Sequence, residues 1–117
     1  MSKFKKKFDF EKRRNEAKRI MDKYPERVPI IVENSVNSNL PPLGKTKYLV
    51  PIDLSIGQFM YVIRKRIKLS PDQALFIFIN STLPSSAVPM SQLYKEHKDK
   101  DGFLYATISG ESTFGTS

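Results

Sequence analysis

Four residues, Tyr48-Leu49-Val50-Pro51, restrict the fold of this chain more than any others. The first three favour a pleated backbone, and proline cannot donate to a strand ladder. Pro51 therefore ends the strand or sets it at a sheet edge. Asp53 and Ser55 are candidate helix caps, and Phe59, Val62, Ile63 and Ile67 then recur at helical spacing. That stripe predicts a core-facing side carrying Phe59, Val62 and Ile63, with Arg64, Lys65 and Arg66 mostly on the other faces. A basic edge strand joined to an amphipathic helix can accept another chain as an added strand, and the nearby apolar side chains can supply pockets.

The size suits one domain: 117 residues, of which 39% are hydrophobic. No cysteine is present, which excludes a disulfide scaffold, a thiol nucleophile and thiolate metal ligation. His97 is the only histidine, which leaves a zinc site or a serine triad with little to work with. No glycine-rich phosphate loop occurs, so an enzyme is not expected. The basic start lacks the apolar run of a signal peptide. The longest apolar run, Ala74 to Ile79, is far shorter than the roughly 20 residues of a membrane span.

The formal charge of +8 is uneven. Residues 1–23 hold ten Lys or Arg against four acids, whereas the rest holds ten against eight. A basic leading segment suits an anionic membrane surface or an acidic, tubulin-like partner. A basic nucleic-acid-binding domain, with Arg64 to Lys68 tracking phosphates, is the rival reading. Against it, Ile67 interrupts that run on the apolar stripe and no aromatic stacking motif accompanies it.

In order, Phe4 and Phe8 suit a short helix. Ala17, Ile20, Met21 and Tyr24 predict a helix over 10–24, capped by Asp9 and stopped by Pro25. Arg27 to Glu33 reads as a strand with a free edge near Pro29. Residues 34–44 read as a loop. Leu75 to Ile79 is apolar throughout and predicts a central strand covered on both faces, with Phe76 and Phe78 on one of them. Ser91 to His97 predicts a short helix that leaves His97 as a cap or surface residue, and Phe103 to Ile108 predicts a last strand. Residues from Ser109 onward read as a tail. After Tyr24 the order is strand, strand, helix, strand, short helix, strand. The predicted fold class is α+β: a β-grasp core over 26–110, a helical extension over 1–25 able to cover the sheet's other face, and a tail over 111–117.

Lys23-Tyr24-Pro25-Glu26-Arg27-Val28-Pro29, Lys47-Tyr48-Leu49-Val50-Pro51, Gly57-Gln58-Phe59, Ile63-Arg64-Lys65-Arg66-Ile67, Asp101-Gly102-Phe103-Leu104-Tyr105 and Phe114-Gly115 form a specific set running almost the whole chain. With them the chain resembles the ubiquitin-like autophagy modifiers, the family of the GABA-receptor-associated protein and microtubule-associated light chain 3. It departs from their pattern at Asp9, in place of a proline, at Ser85 and Val88, and in the loop 37–44.

The resemblance implies a non-enzymatic modifier that needs no cofactor. A cysteine protease removes Thr116 and Ser117 to expose Gly115. Activating and conjugating enzymes carry that glycine as a thioester, and an amide bond finally joins it to phosphatidylethanolamine on autophagic membranes. Phe76, Phe78 and Phe114 are expected to serve recognition during processing. Cargo receptors and adaptors bearing an aromatic-x-x-aliphatic motif are the implied partners. Their aromatic residue would enter a pocket of Glu16, Ile20, Pro29, Ile31, Lys47, Leu49 and Phe103. Their aliphatic residue would enter a second one of Tyr48, Val50, Pro51, Leu54, Phe59, Val62 and Ile63. Arg27, Lys45, Lys47 and Arg66 would meet acids flanking the motif. The implied location is the cytoplasm and, after lipidation, the autophagosome membrane and the vacuole or lysosome.

Overall fold

A computed structural model describes residues 2–36 and 38–111. Helices α1 (Lys3–Lys7) and α2 (Phe10–Lys23) precede strands β1 (Arg27–Asn34) and β2 (Lys47–Pro51). Helix α3 (Ile56–Arg66), strand β3 (Phe76–Phe78), helix α4 (Met90–His97) and strand β4 (Leu104–Ser109) follow. The four strands form one mixed sheet in the order β2-β1-β4-β3. The central pair β1 and β4 is parallel, and the outer strands are antiparallel to their neighbours.

Local chemistry accounts for the helix starts. The Asp9 carboxylate accepts from the Lys12 amide at 2.9 Å and caps α2. Ser55, rather than Asp53, caps α3. Its hydroxyl accepts from the Gln58 amide at 3.1 Å, and the Gln58 side chain accepts from the Ser55 amide at 2.9 Å. Strand β2 lies at the sheet edge and ends at Pro51, so both of that proline's expected effects are met. Pro29 sits opposite Leu49, one position before the ladder to β4 begins at Ile30, so its missing N–H costs no sheet bond.

The sheet separates two apolar layers. Ile56, Phe59, Ile63 and Ile67 pack with Val28, Ile30, Tyr48, Val50, Ile77, Leu104 and Ile108 on the α3 side. Phe4, Ala17, Ile20, Ile31 and Phe103 pack on the other, under the leading helices. The second layer is tied down by polar groups. Arg13 and Asp101 form a buried ion pair at 2.8 Å. Asp101 also accepts from the Tyr105 hydroxyl at 2.5 Å and the Phe103 amide at 2.8 Å. Arg13 Nη1 donates to the Phe8 carbonyl at 2.7 Å, and Lys5 pairs with Asp99 at 2.7 Å. Burial and the neighbouring Asp101 carboxylate push the Tyr105 phenol far above its ordinary range. Gly102, at φ +95°, makes the turn that brings Asp101 beneath Arg13, a conformation side chains resist.

Three expectations need correction. The apolar run 75–79 is not a central strand: β3 is the edge opposite β2, and β1 and β4 take the centre. An unbroken apolar run reports that both faces are covered, not that both flanks are paired. Val62 is not core but 46% exposed. The buried stripe centres on Ile56, Phe59, Ile63 and Ile67, and Val62 lies roughly 100° around the helix from it. Ser109 belongs to β4 rather than to the tail.

A candidate peptide-docking edge

The outer flank of β2 is unpaired among the described residues. Opposed positions with β1 exchange bonds at alternate pairs, including Val32 N to Thr46 O at 2.8 Å and Ile52 N to Glu26 O at 3.1 Å. That alternation turns the amides and carbonyls of Lys47 and Leu49 toward the free flank. An extended peptide can bond to these groups without disturbing the sheet. One acceptor is already engaged: Arg27 Nη1 donates to the Leu49 carbonyl at 3.1 Å. An incoming strand would have to share or displace it.

The period-two geometry of β2 sends its side chains to opposite layers. Lys47 and Leu49 stand on the α2 side, where Leu49 packs against the Phe4–Phe103 cluster. Ile20, Pro29, Ile31 and Phe103 are buried and form the floor there. Glu16 on α2 and Lys47 on β2 are ion-paired across this site. The seven residues assigned to the first pocket therefore come from α2, β1, β2 and the residue just before β4, on one side of the sheet.

Tyr48 and Val50 stand on the α3 side with Phe59 and Ile63, and Leu54 packs against the same cluster. The Tyr48 and Phe59 rings meet edge to face at 5.6 Å. Val62 is exposed and supplies accessible apolar surface over the floor of four buried residues, whereas Pro51, also exposed, has the strand parity of Lys47 and Leu49 and falls on the other side from this pocket. The Tyr48 hydroxyl is buried with no hydrogen-bond partner among the described residues. Burial pushes this phenol's pKa up, and the charge of Arg66 acts against that rise. Lys45 Nζ lies 5.0 Å from the Tyr48 ring centroid. Arg27, Lys45, Lys47 and Arg66 thus lie along the β2 edge or close to it.

Of the residues expected to serve processing, Phe76 is half-buried and Phe78 buried, which leaves Phe76 with more surface to present. Phe114, Gly115 and Thr116 lie outside the described residues. His97 ends α4, with its Nδ1 2.9 Å from Asn80 Nδ2. The Glu16–Lys47 pair and the Arg27–Leu49 bond were not read from the sequence. The pairing of β1 with β2 and the packing of α2 on the sheet bring those groups together.

Comparison with known proteins agrees with the fold. The family model described as "Autophagy protein Atg8 ubiquitin like" matches residues 12–115. Autophagy-related protein 8 of Candida glabrata is 59% identical over 114 residues, covering 97% of each chain. Autophagy-related protein 8d of Arabidopsis thaliana is 56% identical over 115 residues, 98% of this chain and 96% of that one. The crystal structure of Trypanosoma brucei ATG8 superposes with a TM-score of 0.91 at 44% identity, covering 98% of this chain and 99% of the other. Plasmodium falciparum Atg8, solved in complex with a Plasmodium falciparum Atg3 peptide, gives 0.89 at 33% identity, covering 97% and 100%. The chain belongs to the Atg8 family of ubiquitin-like autophagy modifiers.

Proposed function

We propose that this modifier is joined through Gly115 to phosphatidylethanolamine and recruits receptors along β2. The observation that carries the recruitment half is the free edge of β2, with an apolar site on each side of the sheet and cations beside it. A partner's aromatic residue enters on the α2 side, over Leu49 and between Glu16 and Lys47. Its aliphatic residue, three strand positions further on and therefore of opposite parity, enters on the α3 side over Leu54 and Val62. Two anchors of about 2–3 kcal/mol each supply part of the roughly 8 kcal/mol of a micromolar complex, and strand bonds and charge contacts along β2 supply the rest. A conjugating enzyme is among its partners, a reading that the Plasmodium falciparum Atg8 structure in complex with an Atg3 peptide supports.

The conjugation half rests on family membership and on chemistry at Gly115. A cysteine protease cleaves after Gly115 and releases Thr116-Ser117. The new carboxylate displaces pyrophosphate from ATP to give an acyl adenylate, an enzyme thiol displaces AMP to give a thioester, and the amine of phosphatidylethanolamine displaces that thiol to give the amide. Each transfer breaks the bond to the previous carrier as it forms the next. Glycine leaves that carbonyl unhindered, whereas a Cβ would crowd it. The carrier enzymes supply the chemistry, and this chain supplies the tail and the surface. The lipid's two acyl chains give stable attachment where a single chain would be marginal. This places the conjugated protein on the autophagosome membrane and later in the vacuole or lysosome, and the free protein in the cytoplasm.

The test is reconstitution with the protease, both carrier enzymes and phosphatidylethanolamine vesicles. Gly115→Ala is expected to fold normally yet gain no lipid, while a chain ending at Gly115 bypasses the protease and is conjugated. Mass spectrometry reads both. A lipid adduct on Gly115→Ala at wild-type yield, or at another residue, overturns the proposal.

A further inference from the structure

The turn between α3 and β3 has no part in the docking edge or the conjugated tail. Of the chain's eight prolines only Pro71 follows a hydroxyl residue, in Lys68-Leu69-Ser70-Pro71-Asp72-Gln73. Residues 70–74 are all exposed. The Gln73 amide donates to the Ser70 carbonyl at 3.0 Å, which closes a four-residue turn with proline at its second position. The Ser70 hydroxyl lies 2.7 Å from Asp72 Oδ1 and 2.9 Å from Gln73 Oε1. Both acceptors belong to exposed side chains, so the hydroxyl can be drawn away from them without opening the core.

The surroundings of this hydroxyl are cationic. Lys68 adopts a left-handed backbone, φ +54°, just past α3, and the chain returns against the helix's basic last turn. Arg64 fastens it there, donating to the carbonyls of Gln73 at 2.9 Å and Ser70 at 3.0 Å. Tyr61, Arg64, Lys65, Lys68, Leu69 and Pro71 line an open hollow of about 510 Å³, so both chain neighbours of Ser70 belong to its wall. Lys65 and Lys68 are exposed and pair with no carboxylate among the described residues. Over residues 64–75 four cations face one acid, Asp72, a net +3. That carboxylate and the partial negative charge at the end of α3 oppose an anion here, and the three cations of the hollow outweigh them.

We infer that Ser70 is a phosphorylation site for a proline-directed serine kinase, and that its phosphate rests in this hollow against Arg64 and Lys68. In the transfer the Ser70 oxygen attacks the γ-phosphorus of ATP. The new P–O bond forms as the bond to ADP breaks, and the hydroxyl proton passes to the kinase's base. Phosphoserine has no hydroxyl hydrogen left to give Asp72 or Gln73, and it carries about −2 charge at neutral pH. It therefore repels Asp72 and draws Arg64 off the two carbonyls into charge-assisted bonds, so the turn changes its fastening. The net charge over residues 64–75 falls from +3 to about +1. This goes beyond the lipid attachment and receptor docking proposed above and rests on neither.

The test incubates the full, folded chain with ATP and, in parallel, a mitogen-activated and a cyclin-dependent kinase. Mass spectrometry is expected to find phosphate on Ser70. Ser70→Ala and Pro71→Ala should both lose it while keeping the wild-type unfolding midpoint. Phosphorus NMR then reads where the phosphate sits. Its second ionisation, near 6 in a phosphorylated peptide of residues 66–74, should fall to about 5.5 in the intact protein, because neighbouring cations favour the dianion. Arg64→Ala with Lys68→Ala, introduced together, should return it to the peptide's value. No phosphate on Ser70 from either kinase, or wild-type labelling of Pro71→Ala, overturns the inference. A second ionisation in the protein equal to the peptide's, or above it, overturns the placement in the hollow and leaves the phosphate in solvent.

Discussion

Asp101 ties the start of the chain to its last strand through a single buried carboxylate. Its carboxylate is 1% exposed and serves Arg13, Tyr105 and the Phe103 amide at once. Asp101→Ala would strand a guanidinium, a phenol and an amide in the layer under the leading helices. Breaking a buried ion pair from one side costs about 3–5 kcal/mol, because the surviving charge is left uncompensated. Urea unfolding should show that loss in the midpoint with the slope unchanged. A loss under about 1 kcal/mol would mean that water repairs the site. None of this was visible in the sequence, where 88 positions separate Arg13 from Asp101. Asp9 and Ser55 could be read because a cap bonds only three residues away. Val62 was misread because residue type reveals an apolar stripe but not where its centre lies.

At the scale of elements, β2 was legible and β3 only half so. Pro51 and the lysines announced an edge, whereas the apolar run 75–79 announced burial and was silent on pairing. The sorting of pocket residues between two sides of the sheet follows from strand parity, which the sequence does show. That sorting also selects the mutation that probes docking. Tyr48 is 6% exposed and packed on Phe59, so Tyr48→Ala would damage the core, as large-to-small changes there cost about 3–5 kcal/mol. Leu49 is half-buried beside the free flank. Leu49→Ala should weaken a Trp-x-x-Leu peptide by about 2 kcal/mol, near 30-fold, with the unfolding midpoint close to wild type. Calorimetry measures it, and unchanged affinity would remove Leu49 from the first pocket.

Helix α1 allows a test by acid. Burial tends to raise the Asp99 carboxyl, but the Lys5 hydrogen bond, the Asp101 amide and the charges of Lys5 and Arg13 outweigh it, leaving its pKa below the ordinary 3.8. A depressed folded pKa stabilises the native state above the unfolded value and loses that contribution as pH falls through the folded one. Amides of α1 should therefore lose exchange protection below pH ~4, and Asp99→Asn should remove this Asp99-linked part of the pH dependence. Identical profiles for the two proteins would place the hold on α1 in Phe4 and the Phe4 N to Glu33 bond instead.

For the whole molecule, charge governs encounter more than grip. The net +8 raises the local concentration of acidic partners before any contact forms. Lys45 stands beside the docking edge, over the Tyr48 ring, and pairs with no carboxylate among the described residues. Lys45→Glu should slow association with an acidic-flanked motif peptide while changing dissociation little, and the difference should fade as salt rises. Stopped-flow rates at low and high salt test this, and a salt-independent loss would refute it. The sheet's centre has a consequence of another kind. Strands β1 and β4 are the first and the last of the sheet in chain order, yet they are each other's partners, with Ile30 opposite Leu104. Their pairing requires closing the long segment between those two residues into one loop, an entropic cost met only when both apolar layers form together. Neither strand can then open alone. Their amides should exchange only through global unfolding, so the slowest-exchanging amides would measure the stability of the whole molecule, while the unpaired outer flank of β2 breathes on its own.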